Sequence, residues 1–357
     1  MYAWMKKERG PGAKLVNNVR MPRIGSRDVL AKVVASSICG TDVHIWEWDD
    51  WAQQRIKRIP FIPGHEVAAE VVEVGKEVTS LQVGDLISAE THIVDFMDYQ
   101  CRTGRMHVCQ NMKILGVDID GVFAEYFSLP EWNAWKNDPK LDPFLMSVQE
   151  PLGNSVHTLL PKGNVEDIAG KNIAIFGTGP TGLMAITAAK AFGAQQVIAV
   201  GGGSNRIRLD LARKMGADMV LSAKEEGDKL VKVITDATDG VGVDVVLEMS
   251  GAASALRQGL EVLTPGGRAS VLGIYHRPFE LDFTNLVVFK AAKIYGITGR
   301  LMFETWFQVK GLLRIPNFRE KIAQVFTHRI PIRDVDKGME LLTSKQAGKV
   351  GLEIKWE

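Results

Sequence analysis

The twelve residues Lys171-Asn-Ile-Ala-Ile-Phe-Gly-Thr-Gly-Pro-Thr-Gly182 constrain this chain more than any other stretch. An apolar run ends directly in Gly177, Gly179 and Gly182, and Leu183 to Phe192 follows with helical character. A strand buried in a parallel sheet reads as such a near-continuous apolar run. Gly177 then allows a tight turn, Gly179 lets a pyrophosphate approach the backbone, and Gly182 lets the helix pack on the strand. Pro180, Thr181 and Gly182 open that helix, whose N-terminal N–H groups are free for a phosphate. The G-x-G-x-x-G spacing is weak by itself, but strand before and helix after supply the context of a dinucleotide site.

A glycine-rich turn in some other α/β domain would not be followed by further strand–helix units, and here they follow. Apolar runs recur at Gln196 to Val200, Met219 to Ser222, Val243 to Met249, Ala269 to Gly273 and Ala292 to Ile297. Helix-period segments lie between most of them, at Ile207 to Met215, Leu230 to Ala237 and Ala255 to Leu263, the last closed by a turn at Pro265-Gly266-Gly267. Six runs in this rhythm predict a doubly wound α/β sheet of the Rossmann type.

With 357 residues the chain has length for two cores. Its net charge of +1 argues against a general affinity for nucleic acid or an anionic membrane. No run of apolar residues is long enough to span a bilayer, and the N-terminus lacks the apolar core of a signal peptide. Three cysteines, Cys39, Cys101 and Cys109, are too few and odd in number for a disulfide framework, which suits a reducing, cytoplasmic setting.

Up to about Leu86 the pattern is β-rich, with strands expected at Asp28 to Ser36 and Val67 to Val74. Inside this part stand Ile38-Cys39-Gly40-Thr41-Asp42-Val43-His44 and Pro63-Gly64-His65-Glu66, both in turn-rich contexts. Cys39, His65 and Glu66 offer a thiolate, an imidazole and a carboxylate, a zinc-competent set that leaves a fourth position open. Taken alone, a Cys and a His this far apart are more often unrelated core or surface groups.

Through Cys39-Gly-Thr-Asp, Gly64-His-Glu, Val83-Gly-Asp85 and the Gly177 to Gly182 turn, the sequence resembles the zinc-dependent medium-chain alcohol and polyol dehydrogenases over nearly its whole length. The stretch Ile38 to Trp51, with Gly153 to Thr158, Glu248 to Gly251, Met302 to Trp306 and Thr327 to Arg329, is most similar to the members that oxidise L-threonine. The resemblance implies a GroES-like β-rich catalytic domain over 1–152 and 299–357 around a Rossmann domain over 153–298. It implies a catalytic zinc on Cys39, His65 and Glu66, with Glu150 as an intermittent ligand or proton-relay partner. Thr41 and His44 would carry the substrate proton to solvent, a task suited to an imidazole. The alternative for His44 is a surface histidine beside tryptophans. Asp42 would orient a ligand or be a solvated turn aspartate. Trp46, Trp48 and Trp51 are expected to serve packing at a loop or a subunit contact rather than substrate stacking. Leu272, Gly273, Ile274, Ile297 and Thr298 would line the nicotinamide, with His157 nearby, and a homotetramer is expected.

Two departures from the family stand out. Relatives carry a structural-zinc lobe built on four cysteines, whereas this chain has Asp95, Asp98, Cys101 and Cys109 at those positions, with His92 and His107 close by. Structural zinc prefers sulfur and nitrogen, so the lobe is expected without metal; a mixed site of two aspartates and two cysteines is the alternative. The second departure concerns the cofactor. An NAD site places an acid about twenty residues beyond the glycines to hold the ribose 2′-hydroxyl. Gly203 stands there, followed by Ser204, which can donate to a 2′-phosphate, and by Arg206 or Arg208, which can pair with it. Arg208 matches an arginine of NAD-using relatives and does not discriminate by itself, and a loop that tolerates both cofactors is the alternative. The pattern favours NADP over NAD.

The expected activity is hydride transfer from the secondary alcohol of L-threonine to a nicotinamide cofactor. The same machinery acting on a polyol or sugar is the first alternative, which the cofactor departure keeps open. A non-catalytic nucleotide-binding protein is the second; retention of Cys39, His65 and Glu66 speaks against it.

Overall fold

The computed structural model describes residues 1–203 and 206–357, and nothing is said of the side chain at 166. The chain divides into two compact units, Met1–Glu150 with Phe326–Glu357, and Pro151–Val325. Residues 299–325, read from the sequence as part of the β-rich domain, fold with the second unit. The cause is packing: the helix Pro316–Ala323 lies on the helix Pro180–Ala191 and buries Phe318 and Ile322, and Trp306 is buried too.

The second unit holds a six-stranded parallel sheet. Its spatial order is Met219–Ser222, Gln196–Gly201, Asn172–Phe176, Val243–Glu248, Leu263–Val271 and Lys293–Gly296. Counted along the chain this is the order 3-2-1-4-5-6 of a doubly wound dinucleotide fold, with its switch point beside the first strand. Ile173, Ile175 and Phe176 are fully buried, each worth roughly 2 kcal/mol on burial. One expected turn is absorbed into a strand. Pro265-Gly266-Gly267 lies within Leu263–Val271, where the pairing jumps from Leu263 opposite Val243 to Arg268 opposite Val245. The extra residues leave the ladder as an irregularity, which glycines accommodate.

The first unit is built on a seven-stranded sheet in which Asp28–Ser37 is the central strand. It pairs antiparallel with Glu66–Val74, Tyr126–Pro130 and Lys349–Glu353. Val29, Ala31, Val33, Val67, Ala69, Val71, Phe127 and Leu129 fill its core. The register has a direct consequence for chemistry. Ser37 lies opposite Glu66 on one side and Gly351 on the other, so the ends of three strands bring Ser37, Glu66 and Lys349 together. Among the described residues no helix is long and apolar enough to cross a membrane.

Candidate active site

Cys39 is not in an irregular turn, as its sequence context suggested, but heads the helix Gly40–Glu47 as its N-cap. Asp42 makes that helix start possible. Its Oδ2 accepts the Cys39 N–H at 2.9 Å and its Oδ1 accepts the Gly64 N–H at 3.2 Å. The carboxylate thus ties the Cys39 turn to the segment that delivers His65, and its Oδ1 stands 3.7 Å from His65 Nδ1. Asp42 is fully buried, which excludes the solvated alternative.

The ligand atoms of Cys39, His65 and Glu66 all lie within 4.8 Å of one another. His65 and Glu66 are buried, and His65 Nδ1 has no hydrogen-bond partner. Burial alone would lower the His65 pKa, yet Asp42, Cys39 and Glu150 raise it to about 10. The acidic neighbours of His65 thus outweigh its burial, while the Lys349 ammonium stands against Glu66 in the same space. A thiolate, an imidazole and a carboxylate this close together are a donor set that fits a catalytic zinc. Glu150, at the start of the helix Gln149–Leu159, stands outside the 4.8 Å group, although its charge acts on His65 and Glu66.

Thr41 Oγ1 is 3.9 Å from Cys39 Sγ. His44 lies one turn further along the same helix, on the same face. It is half-buried, its Nδ1 sits 2.6 Å from Asp49 Oδ2, and its ring is 5.8 Å from that of Trp51. The tryptophans pack as expected. Trp48 is buried with Ile45, Ile56 and Phe61, and Trp46 donates its indole N–H to Asp336 at 2.7 Å.

Among the described residues, Asp95, Asp98, Cys101 and Cys109 form a second cluster of the same compactness. Here the chain itself supplies donors to the carboxylates. Asp98 accepts the Cys101 N–H at 2.8 Å and the Gln110 N–H at 2.5 Å, and Asp95 accepts from Met97 and Asn111. Burial, with Cys109 and Asp98 as neighbours, pushes the Cys101 thiol up to about 12. The four donor atoms are close enough to hold an ion, but two of them are carboxylate oxygens, whereas structural zinc is held predominantly by sulfur and nitrogen.

In the second unit the glycine turn follows the strand Asn172–Phe176. A Cβ on Gly182 would lie 1.9 Å from the Gly177 carbonyl oxygen, so only glycine allows this helix–strand approach. A Cβ on Gly179 would meet nothing within 4 Å, so packing does not demand glycine there and the backbone stays open to a ligand. Gly179 caps the helix Pro180–Ala191, with Thr181 in its first turn. Leu272, Gly273 and Ile274 follow the strand Leu263–Val271, and Ile297 and Thr298 follow Lys293–Gly296. All sit at the carboxyl ends of strands, where open α/β sheets bind ligands. His157 is buried in the same unit, its Nδ1 2.9 Å from the Gly299 carbonyl oxygen.

Gly203 has φ +90°, and a Cβ there would meet Ser222 Oγ at 2.4 Å. The absence of an acid at 203 therefore has a packing cause in addition to any cofactor cause. Ser204 lies outside the described residues. Arg206 is exposed and stands 3.5 Å from the Glu225 carboxylate, and Arg208 is half-buried.

Residues 25–139 match the alcohol dehydrogenase GroES-like domain, and residues 180–314 match the zinc-binding dehydrogenase domain. The L-threonine 3-dehydrogenase of Pyrococcus horikoshii is 50% identical over 356 residues, covering 99% of each chain. The chain belongs to the zinc-binding dehydrogenase family. The L-threonine 3-dehydrogenase of Bacillus licheniformis is also similar, 48% identical over 352 residues and covering 99% of this chain and 98% of its own. Among solved structures, an alcohol dehydrogenase of Thermotoga maritima superposes with a TM-score of 0.87 at 27% identity, covering 99% of this chain and 98% of its own.

For a zinc-binding dehydrogenase of this build, sequence reasoning missed four groups. Asp49 was legible as a helix-start residue, since it caps Asp50–Arg55 through the Ala52 N–H. Glu225, Lys349 and the Glu248–Tyr275 pair carry no local signal. Glu248 is buried and accepts the Ser250 and Gly251 N–H groups, while the Tyr275 hydroxyl donates to it at 2.7 Å. That pair fixes the segment from Leu272 to Tyr275 against the strand Val243–Glu248.

Proposed function

We propose that the protein is a zinc-dependent L-threonine 3-dehydrogenase, transferring hydride from the secondary alcohol carbon of L-threonine to a nicotinamide cofactor and releasing the hydroxyl proton. The product is 2-amino-3-oxobutanoate. The observation that carries this reading is identity of about half the residues, over the full length, with enzymes of that name.

Cys39, His65 and Glu66 would hold the zinc, with Glu150 as a fourth, exchangeable donor. When bound there, the ion supplies Lewis-acid polarisation of the substrate hydroxyl. The chain's own residues do the rest. Asp42 holds the Cys39 turn and the His65 ring in one orientation. Asp49 keeps a proton on His44 Nδ1, which leaves Nε2 able to accept the proton relayed through the Thr41 hydroxyl. The buried setting strengthens each of these interactions.

For the cofactor we favour NADP over NAD. No carboxylate stands at 203 to repel a 2′-phosphate, and Arg206 and Arg208 follow it in the first turn of the next helix. The nucleotide would lie along Gly177, Gly179, Pro180, Thr181 and Gly182, with Leu272, Gly273, Ile274, Ile297 and Thr298 on its nicotinamide side. The Asp95–Cys109 lobe is read as metal-free. A cytoplasmic homotetramer fits the unpaired thiols and the exposed Ile294 on the edge strand Lys293–Gly296, with exposed Phe289 in the segment that leads into it.

The test is reduction of NAD and NADP, followed separately by absorbance, with L-threonine and a panel of polyols and sugars. Turnover of L-threonine above every polyol and sugar is expected. A polyol or sugar turned over in its place would overturn the substrate and leave the zinc chemistry standing.

A further inference from the structure

Glu248 is fully buried at the carboxyl end of the strand Val243–Glu248, and among the described residues no cationic side chain pairs with it. Glutamates are almost never fully buried without such a partner. Here hydrogen-bond donors take its place. Oε1 accepts the Ser250 N–H at 2.8 Å, the Ser250 hydroxyl at 2.5 Å and the Gly251 N–H at 3.0 Å, and Oε2 accepts the Tyr275 hydroxyl at 2.7 Å. A side chain that accepts at both oxygens matches the ionised carboxylate, which is an acceptor only. The anion is held by dipoles, and no opposite charge cancels it.

That charge sits against one particular piece of backbone. The Leu272 and Gly273 N–H groups donate to the Glu248 carbonyl oxygen at 2.9 and 3.1 Å, and a Cβ on Gly273 would stand 2.3 Å from Glu248 Oε2. A Cβ on Gly251 would stand 2.4 Å from the Ile274 carbonyl oxygen. The two segments thus interlock through glycines, and at Gly273 no side chain lies between the carboxylate and the main chain. A nicotinamide ring is cationic when oxidised and neutral when reduced, and a buried charge acts across several ångströms of protein. We propose that Glu248 discriminates between the redox states of the cofactor: its negative charge, behind the stretch Leu272 to Ile274, stabilises the oxidised nicotinamide and leaves the reduced one unaffected. The bias runs in the direction of alcohol oxidation, in which the oxidised cofactor enters and the reduced one leaves. No bond or proton at Glu248 changes.

This inference rests on the reading that Leu272, Gly273 and Ile274 lie on the nicotinamide side, and the experiment separates the two. Dissociation constants of the full-length protein are measured by fluorescence titration for NADP, NADPH and ADP-ribose 2′-phosphate, which lacks the nicotinamide, and again for NAD, NADH and ADP-ribose. Glu248→Gln keeps the shape and removes the charge. It should weaken binding of the oxidised form by about tenfold, the scale of one charge interaction within a protein, and leave the reduced form and the fragment unchanged. Tyr275→Phe keeps the charge and loosens the segment, so it should weaken both redox forms alike. Equal weakening of both forms by Glu248→Gln, or no change in either, overturns the inference. If Glu248→Gln does not fold, Ser250→Ala withdraws one donor from the carboxylate and must shift the ratio of the two constants toward the oxidised form; an unmoved ratio is then the overturning result. Ile274→Ala, at an exposed side chain, tests the underlying reading. It should weaken both redox forms and spare the fragment; if it changes nothing, the segment is not on the nicotinamide side and the inference falls with that reading.

Discussion

His44 Nδ1 lies 2.6 Å from one oxygen of Asp49, while the other oxygen of that carboxylate caps the helix Asp50–Arg55 through the Ala52 N–H at 3.0 Å. A single side chain thus serves the helix and the histidine at once, and substitutions can separate the two duties. Asp49→Ala should lower stability by about 1 kcal/mol through loss of the cap. It should also lower kcat by roughly tenfold, a fraction of what a positioned acid–base group contributes. Asp49→Asn keeps a good cap, so melting should return to the wild-type value while kcat recovers only in part. Equal effects of the two variants on both measurements would refute the tie between Asp49 and His44.

Metal removal tests the two clusters against each other. Dialysis against a strong chelator should remove one zinc per chain, measured by elemental analysis. Activity should drop at least about a hundredfold, because the ion's Lewis-acid contribution is lost. The affinity for the nucleotide should be unchanged, since the glycine turn and the parallel sheet fold without help from Cys39 or His65. Release of two zinc ions per chain would show that Asp95, Asp98, Cys101 and Cys109 bind metal after all.

The Cys101 thiol carries its own pH signature. Its pKa is pushed up to about 12 by burial and by the neighbouring Cys109 and Asp98. The thiolate is the reactive form, so alkylation at pH 8 should be at least about tenfold slower than for an ordinary thiol, which ionises near 8.5. The folded-state pKa lies above the unfolded one. The stabilisation from this group is therefore fully present below about pH 8.5 and is lost as pH rises toward 12. Peptide mapping after timed alkylation at several pH values reads this directly; rapid labelling of Cys101 at pH 8 would contradict it.

Cofactor choice is expected to turn on Arg206 and its neighbour. An acid introduced at Gly203 is a poor test, because its Cβ would collide with Ser222 Oγ. Arg206→Ala should instead raise KM for NADP by about tenfold or more, the worth of one charge-assisted hydrogen bond, with little change for NAD. Glu225→Ala removes the carboxylate that stands 3.5 Å from Arg206 and should shift preference further toward NADP. Steady-state constants with both cofactors decide it, and an unchanged ratio in both variants would remove Arg206 from the site.

The nucleotide fold was legible because its determinants are local. An apolar run, three glycines and a helix occupy adjacent positions, and Gly182 is demanded by a contact with Gly177 only five residues away. The Cys39 and His65–Glu66 motifs were legible as chemistry, though not as structure. The helix that begins at Cys39 depends on Asp42, whose other oxygen holds Gly64 across 22 positions of sequence.

What the sequence determined by itself was the order of the strands and helices, the backbone freedom at the turns, and the kinds of donor available for metal and phosphate. These follow from side-chain periodicity and from steric limits within a few residues. Only the tertiary structure decided which charges share a buried space. Lys349 meets Glu66 across 283 positions, and Glu225 reaches Arg206 from the neighbouring strand–helix unit. Electrostatic interaction depends on distance and on exclusion of water, neither of which is written in the spacing of residues along a chain.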